Sequence, residues 1–274
     1  MKKLPETDAR RAHAQTLREP KPGVSPANRS LERGIELLRS FRPGSELLGN
    51  AELADRTGLS RSTVSRLTQT LVGSGLLQVD PRSRAFRLAP AVLSFAHAMR
   101  TGSTVLMTAA PLMREVAEAR KINVGLAAPD RDEMVYLESI RYNRRPSLRS
   151  VVSGQRVPME LTSLGRAYLA SAPEAKRKAL LAHFREARSG QWRRLGAEIT
   201  SAIESVANDG YCAASWQAEV TAIATPLVFQ GAHYALNVSL STAEAFDAVV
   251  RELAPTLIDL KQRILHKLEA AAAD

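Results

Sequence analysis

The sequence predicts an α+β protein of two domains: a small helical N-terminal unit closed by a β-hairpin, and a larger unit in which strands and helices alternate. Three observations carry this. At 274 residues the chain exceeds the usual single-domain length, so two cores are expected. Apolar residues recur at helical spacing on both sides of Gly58, and the pattern then shortens to a hairpin. Beyond residue 104, strand-like and helix-like stretches interleave to the C-terminus.

Order begins after a polar leader. The first 28 residues mix charges with prolines and show no sustained apolar period, so 1–28 reads as a disordered basic arm able to add nonspecific phosphate attraction. In "SLERGIELLRSF" the residues Leu31, Ile35, Leu38 and Phe41 fall at helical spacing, with Ser30 as expected N-cap. Pro43 and Gly44 stop this helix. A second runs from Ala51 to Thr57, capped by Asn50. Gly58 sits where the chain must turn sharply with positive φ, a conformation that costs glycine little. Leu59 plugs the space between helices, and Ser60 caps a third, Arg61 to Val72.

Within that third helix Val64, Leu67 and Leu71 form the inward stripe. Its other face presents Arg61, Ser62, Thr63, Ser65, Arg66 and Gln69, and the helix contains no acid. Short hydroxyls let a backbone approach a phosphate or base edge, while Arg and Gln can make paired hydrogen bonds in a major groove. Next come Leu76 to Asp80, a turn at Pro81, and Ala85 to Leu88: a short hairpin with Arg82 and Arg84 at its tip. Two helices around a tight glycine turn, followed by a basic-tipped hairpin, make a winged helix-turn-helix over 29–89, whose expected partner is double-stranded DNA.

Charge agrees with this division. Residues 1 to 100 hold 17 Lys/Arg against 9 Asp/Glu, whereas 101 to 274 hold 21 against 19, so the basicity sits in the first third. The remaining composition excludes other classes. No apolar run reaches membrane-spanning length and no charged-then-apolar leader is present, so a cytoplasmic protein without membrane contact is expected. The single cysteine, Cys212, provides no disulfide framework and reads as a small buried hydrophobe. His13, His97, His183, His233 and His266 are scattered, and no phosphate loop, Gly-x-Gly-x-x-Gly or nucleophile turn occurs. No metal, no cofactor and no enzymatic activity are therefore expected.

After the hairpin, Val92, Leu93, Phe95, Ala96 and Met99 give a connecting helix within 90–103 whose apolar surface needs a cover, which a second subunit would supply. From Thr104 to about Lys121 a further helix carries Leu106, Leu112, Met113 and Val116. Strands are expected near 122–128, 134–141, 147–153, 211–215, 221–229 and 233–240. Helices are expected near 162–171, 174–187, 194–208 and 243–270.

This order, with two signatures behind the winged helix, resembles the IclR family of bacterial transcriptional regulators over about residues 28 to 270. The first signature is Gly154, Pro158 and Gly165-Arg166-Ala167; the second is Gly210-Tyr211-Cys212 followed by Ala224-Thr225-Pro226. The resemblance implies that 104–274 is an effector-binding domain, GAF-like, with a curved antiparallel sheet. It also implies a homodimer or a dimer of dimers, and a small organic effector, often a carboxylate or aromatic acid. The implied pocket comprises Thr162, Ser163 and Leu164 at a helix opening, Cys212 and Ala222 on facing strands, and Asn237 and Ser239 on the last strand, with Met159 and Leu161 as apolar wall. A helix N-terminus is a ready seat for a carboxylate, and Asn237 and Ser239, two apart, share a sheet face. Ser163 and Ser239 read equally well as ordinary cap and strand residues.

Some positions depart from the family pattern. Glu160 stands where many relatives have His, Glu219 where they have Gly, and Trp216 and Gln217 replace acids. These changes fall at the implied pocket rim. Trp216 could stack on a ring or pack the core. His233 could meet a ligand or sit on a hairpin surface. The sequence thus reads as a DNA-binding regulator whose hold on a pseudo-palindromic operator responds to an effector. The alternatives are a metabolite-binding or enzymatic protein with an incidental helix-turn-helix, and a nonspecific architectural DNA binder.

Overall fold

The computed structural model describes residues 28–142, 152–215 and 220–273. The chain divides into two compact units, the first ending at Met99 and the second beginning at Arg100. The arm up to residue 27, together with Trp216, Gln217 and Glu219, lies outside the described residues.

The first unit contains helices α1 (Arg29–Arg39), α2 (Asn50–Thr57) and α3 (Arg61–Gly73), strands β1 (Leu77–Val79) and β2 (Phe86–Leu88), and most of α4 (Ala91–Thr101). The first helix starts earlier than its expected Ser30 cap. Asn28 Oδ1 accepts the amides of Ser30 and Leu31, both at 3.1 Å, because an upstream Asn is as good a cap as Ser. The second helix is also capped one residue upstream of Asn50: the Glu52 carboxylate reaches back to the Gly49 amide at 3.2 Å. Gly58 has φ 70°, and its amide donates to the Ala54 carbonyl at 2.8 Å. Ser60 Oγ then accepts the Thr63 amide at 3.3 Å, so α3 starts where the sequence places it.

The small core gathers Leu37, Phe41, Leu48, Leu53, Ala54, Val64 and Leu77, with Leu59, Leu67 and Leu71 at its edge. On α1 the expected stripe is rotated: Leu31 and Ile35 are exposed, and Gly34 and Leu37 are buried. Apolar residues lie on more than one face of α1, and packing against α3 selects the face centred on Leu37. The hairpin gains a third pairing partner outside its own sequence. Leu48 and Phe86 exchange backbone hydrogen bonds of 3.0 and 2.9 Å, fixing the wing to the turn before α2.

The second unit is built on a six-stranded antiparallel sheet in the order β5-β4-β3-β8-β7-β6. Its strands are β3 (Asn123–Asp130), β4 (Glu133–Ile140), β5 (Arg156–Pro158), β6 (Cys212–Ala214), β7 (Val220–Phe229) and β8 (Ala232–Ser241). The strand expected at 147–153 falls mostly outside the described residues. Ser153 and Gly154 form a turn, and pairing with β4 is made downstream at β5.

Alternation along the strands separates two cores. Val124, Leu126, Ile223, Leu227, Leu236 and Val238 pack beneath α5 (Thr104–Arg120) and α9 (Phe246–Ala273). On the opposite face, Ala127, Tyr136, Cys212, Ala224 and Ala235 meet α6 (Ser163–Ser171), which α7 (Glu174–Ala187) and α8 (Trp192–Asp209) support. Among the described residues no helix is long and apolar enough to cross a membrane, and no group of three His, Cys, Asp or Glu could hold a metal.

Candidate functional site

The first unit offers a surface. On α3, Arg61, Ser62, Arg66 and Gln69 are exposed, while Thr63 and Ser65 are half-buried. Thr68, which the sequence pattern leaves aside, is fully buried, and its hydroxyl donates to the Val64 carbonyl at 2.9 Å. Thr63 Oγ1 lies 2.9 Å from Ser60 Oγ, which ties this hydroxyl to the cap and fixes its direction. At the wing tip Arg82 and Arg84 are both exposed, Arg84 with φ 54°. Asp80 folds the turn, accepting the Ser83 amide at 2.9 Å and the Ser83 hydroxyl at 2.7 Å, and ion-pairs with Arg87 at 2.8 Å. The Ser83 contacts hold its carboxyl below the ordinary range, against slight desolvation. Asp80 therefore neutralises Arg87 and leaves Arg82 and Arg84 at the tip.

The second unit offers a cavity of about 60 Å³ on the α6 side of the sheet. Register explains who meets there. One row across the strands reads Ser139, Gly125, Asn237, Ala224; the next reads Asn123, Ser239, Ala222. Small residues at Gly125, Ala222 and Ser239 leave space that larger ones would fill. Gly125 is required: a Cβ there would strike Asn237 Oδ1 and come within 2.5 Å of the Tyr136 ring. Tyr136 is buried, its hydroxyl is pushed up to about 12 by desolvation, and nearby Arg141 and a hydrogen bond with the Asn237 side chain pull the other way. Two acceptors in this wall stand buried without a partner, Asn123 Oδ1 and Asn237 Oδ1.

Of the nine effector-pocket residues read from the sequence, Ala222, Asn237 and Ser239 line this cavity. The other six surround the start of α6. Thr162 Oγ1 accepts the Gly165 amide at 3.3 Å and donates to the Pro158 carbonyl at 2.8 Å, so its hydroxyl is spent on capping. Met159 and Leu164 are core residues, Leu161 packs half-buried against them, and Ser163 is buried. Cys212 is fully buried, its thiol within 3.5 Å of the Ser163 carbonyl. Burial pushes that thiol up to about 12, with Arg166 partly offsetting it. His233 is half-buried on the hairpin, 3.4 Å from the Ser171 hydroxyl and edge-on to Tyr168.

Glu160, expected at the pocket rim, does not line the cavity. Its buried carboxylate takes two bonds from Arg188, at 2.8 and 3.0 Å. Arg166 donates to the Glu160 carbonyl at 3.2 Å and pairs with Glu198 at 2.7 Å, so one ionic chain clamps α6, α7 and α8. Among the cavity residues that pattern reading missed are Asn123, Gly125, Tyr136, Ser139 and Arg141. Gly125, alone in an apolar strand, was the available signal, because such a glycine marks a close approach.

Both units match known protein domains. Residues 30–81 match the model of the IclR helix-turn-helix domain, and residues 97–266 match the model of the bacterial transcriptional regulator IclR C-terminal domain. The HTH-type transcriptional regulator TsaQ1/TsaQ2 of Comamonas testosteroni is 32% identical, over 88% of this chain and 89% of its own. The Pca regulon regulatory protein of Pseudomonas putida is 26% identical, over 89% and 82%. The crystal structure of an IclR family regulator from Brucella abortus superposes with a TM-score of 0.80 at 33% identity, covering 90% of this chain and 96% of that one. An IclR homolog from Microbacterium hydrocarbonoxydans, complexed with 4-hydroxybenzoate, shares the fold with a TM-score of 0.65 at 22% identity, over 88% and 99%. With both domain matches in the same order as the two units, the chain belongs to the IclR family of bacterial transcriptional regulators.

Proposed function

We propose that this regulator binds a pseudo-palindromic operator in double-stranded DNA as a homodimer or dimer of dimers, and that a small organic acid alters that binding. The observation that carries the DNA reading is the acid-free face of α3, with Arg61, Ser62, Arg66 and Gln69 exposed behind the left-handed turn at Gly58. Arg61, Thr63, Ser65, Arg66 and Gln69 bear on bases and phosphates, with Ser62 at the first turn of the helix. Arg82 and Arg84 bear on the backbone or minor groove. Two such helices related by a two-fold axis meet successive major grooves about 34 Å apart. The half-exposed Leu88 and the exposed Leu93, Phe95 and Met99 lie on and before α4, whose residues are all unburied in the single chain, which favours a second subunit as cover.

The effector reading rests on the cavity, whose walls combine small apolar residues with Arg141, serines and two unpartnered amide oxygens. A 4-hydroxybenzoate complex of a fold neighbour supports a carboxylate or aromatic acid as the class.

Titrating the protein onto its own upstream DNA across a salt series tests the first half. Affinity for the operator should fall with a log–log slope of about −0.9 per neutralised phosphate while staying above that for competitor DNA. No binding at low salt would favour a metabolite-binding or enzymatic protein, and binding without site preference an architectural one.

A further inference from the structure

We infer that Arg100 is a positioning residue that couples the cavity wall to α4, by seating the last turn of that helix on a bulge in β4. This rests on the cavity being the effector site and supplies the physical link such a site needs. The bulge lies at Leu137. β3 and β4 pair as Leu126–Glu138 and then as Ala127–Tyr136, so Leu137 is an extra residue with no partner on β3. A bulge leaves its extra residue outside the ladder, bends the strand and re-aims the side chains beside it. Here the Leu137 carbonyl accepts from the Arg100 guanidinium, and the carboxylate of the next residue, Glu138, takes a second bond from Arg100 at 2.6 Å. Arg100 stands in the last turn of α4 and is the first residue of the second unit, so both bonds are internal to that unit. One planar fork grips the backbone and the side chain of the bulge together, a geometry the point charge of a lysine does not reproduce.

This grip differs from a surface ion pair. The Glu138 side chain is 14% exposed, and its Oε1 accepts the Ser139 amide at 2.9 Å and the Ser153 hydroxyl at 3.2 Å. Burial raises this carboxyl, but the bonds it accepts, those from Arg100 foremost, hold it below the ordinary range. The residues flanking the bulged pair serve the other face of the sheet: Tyr136 and Ser139 line the cavity. Glu138 instead pairs with Leu126, whose side chain belongs to the core beneath α5 and α9. Cavity and grip therefore stand back to back across one strand. A shift of Tyr136 or Ser139 moves the bulge between them, and with it the seat of α4.

Hydrogen exchange on the full-length protein, alone and with its own upstream DNA, tests this independently of any effector. In the wild type, DNA should slow exchange in α3 and change it in β4 by at least about fivefold, the low end of ordinary coupling between sites. In Arg100→Met the α3 response should remain and the β4 response should disappear. Arg100→Met combined with Glu138→Gln should behave alike, and serves if the single variant folds poorly, because it strands no buried charge. A merely structural contact would loosen β4 equally with and without DNA. A β4 response that survives in a folded variant therefore overturns the inference, and so does a wild type in which α3 responds and β4 does not. Absence of the α3 response overturns the operator reading and this inference with it. The effector reading stands or falls separately, on the melting temperature with added acids.

Discussion

Single residues decide whether each unit can hold its site. Gly58 adopts φ 70°, where a side chain costs about 1–2 kcal/mol. Gly58→Ala should lower the melting temperature and weaken operator binding together, because α3 is aimed by this turn. Gly125 has a steric reason instead: a methyl there meets Asn237 and Tyr136 on two sides. Gly125→Ala should cost about 1–3 kcal/mol by overpacking and abolish any ligand-induced rise in melting temperature. Titration follows from burial as well. Tyr136 and Cys212 both hold their protons to about 12 in the native state, chiefly because burial disfavours the charged forms. The unfolded chain releases those protons from about pH 9 upward, so it binds fewer than the native chain does. Stability should therefore be unaffected below about pH 8.5 and fall above it, by roughly 1.4 kcal/mol per pH unit for each group within the window. Denaturant melts at pH 8 and 10.5 check this, and flat stability between them would contradict the burial of both groups.

At the scale of elements, what could be read from sequence was local and what could not was tertiary. The start of α3 followed from Gly58 and Ser60 because a left-handed glycine and a hydroxyl cap act within a few residues. The caps of α1 and α2 landed one or two residues early, at Asn28 and Gly49, because neighbouring residues can serve as caps equally well and only the folded chain chooses. The inward face of α1 was misread for the same kind of reason: Leu31 and Ile35 obey the helical period but packing turns them outward. The cavity was the least legible part, since Asn123, Tyr136 and Asn237 come from three strands and meet only through sheet register. Tertiary packing also hid the role of Glu160. Its carboxylate is buried against Arg188, 28 residues further along the chain, and ties the segment before α6 to the end of α7. Arg188→Met should cost about 2 kcal/mol or more by stranding that carboxylate, at the low end for a broken buried pair because Arg188 is one-third exposed. Adding Glu160→Met should restore most of the loss, which urea melts of the single and double variants measure.

For the whole molecule the question is how a cavity in one unit reaches a helix in the other. A ligand shifts an equilibrium only through different affinities for the states involved, so binding in the sheet can alter operator affinity only if two arrangements of the chain differ at the cavity. Linkage makes the effect reciprocal: if the acid weakens operator binding by some factor, operator DNA must weaken acid binding by the same factor. This separates the units experimentally. Arg66→Ala removes an exposed guanidinium from α3 and leaves every residue of the sheet unit unchanged. It should abolish preference for the operator over competitor DNA while leaving the ligand-induced rise in melting temperature unchanged, since a ligand bound only by the folded state stabilises it whatever α3 carries. Loss of the thermal response along with operator preference would mean that the two sites share one structural support, and the division between reading helix and sensing sheet would have to be redrawn.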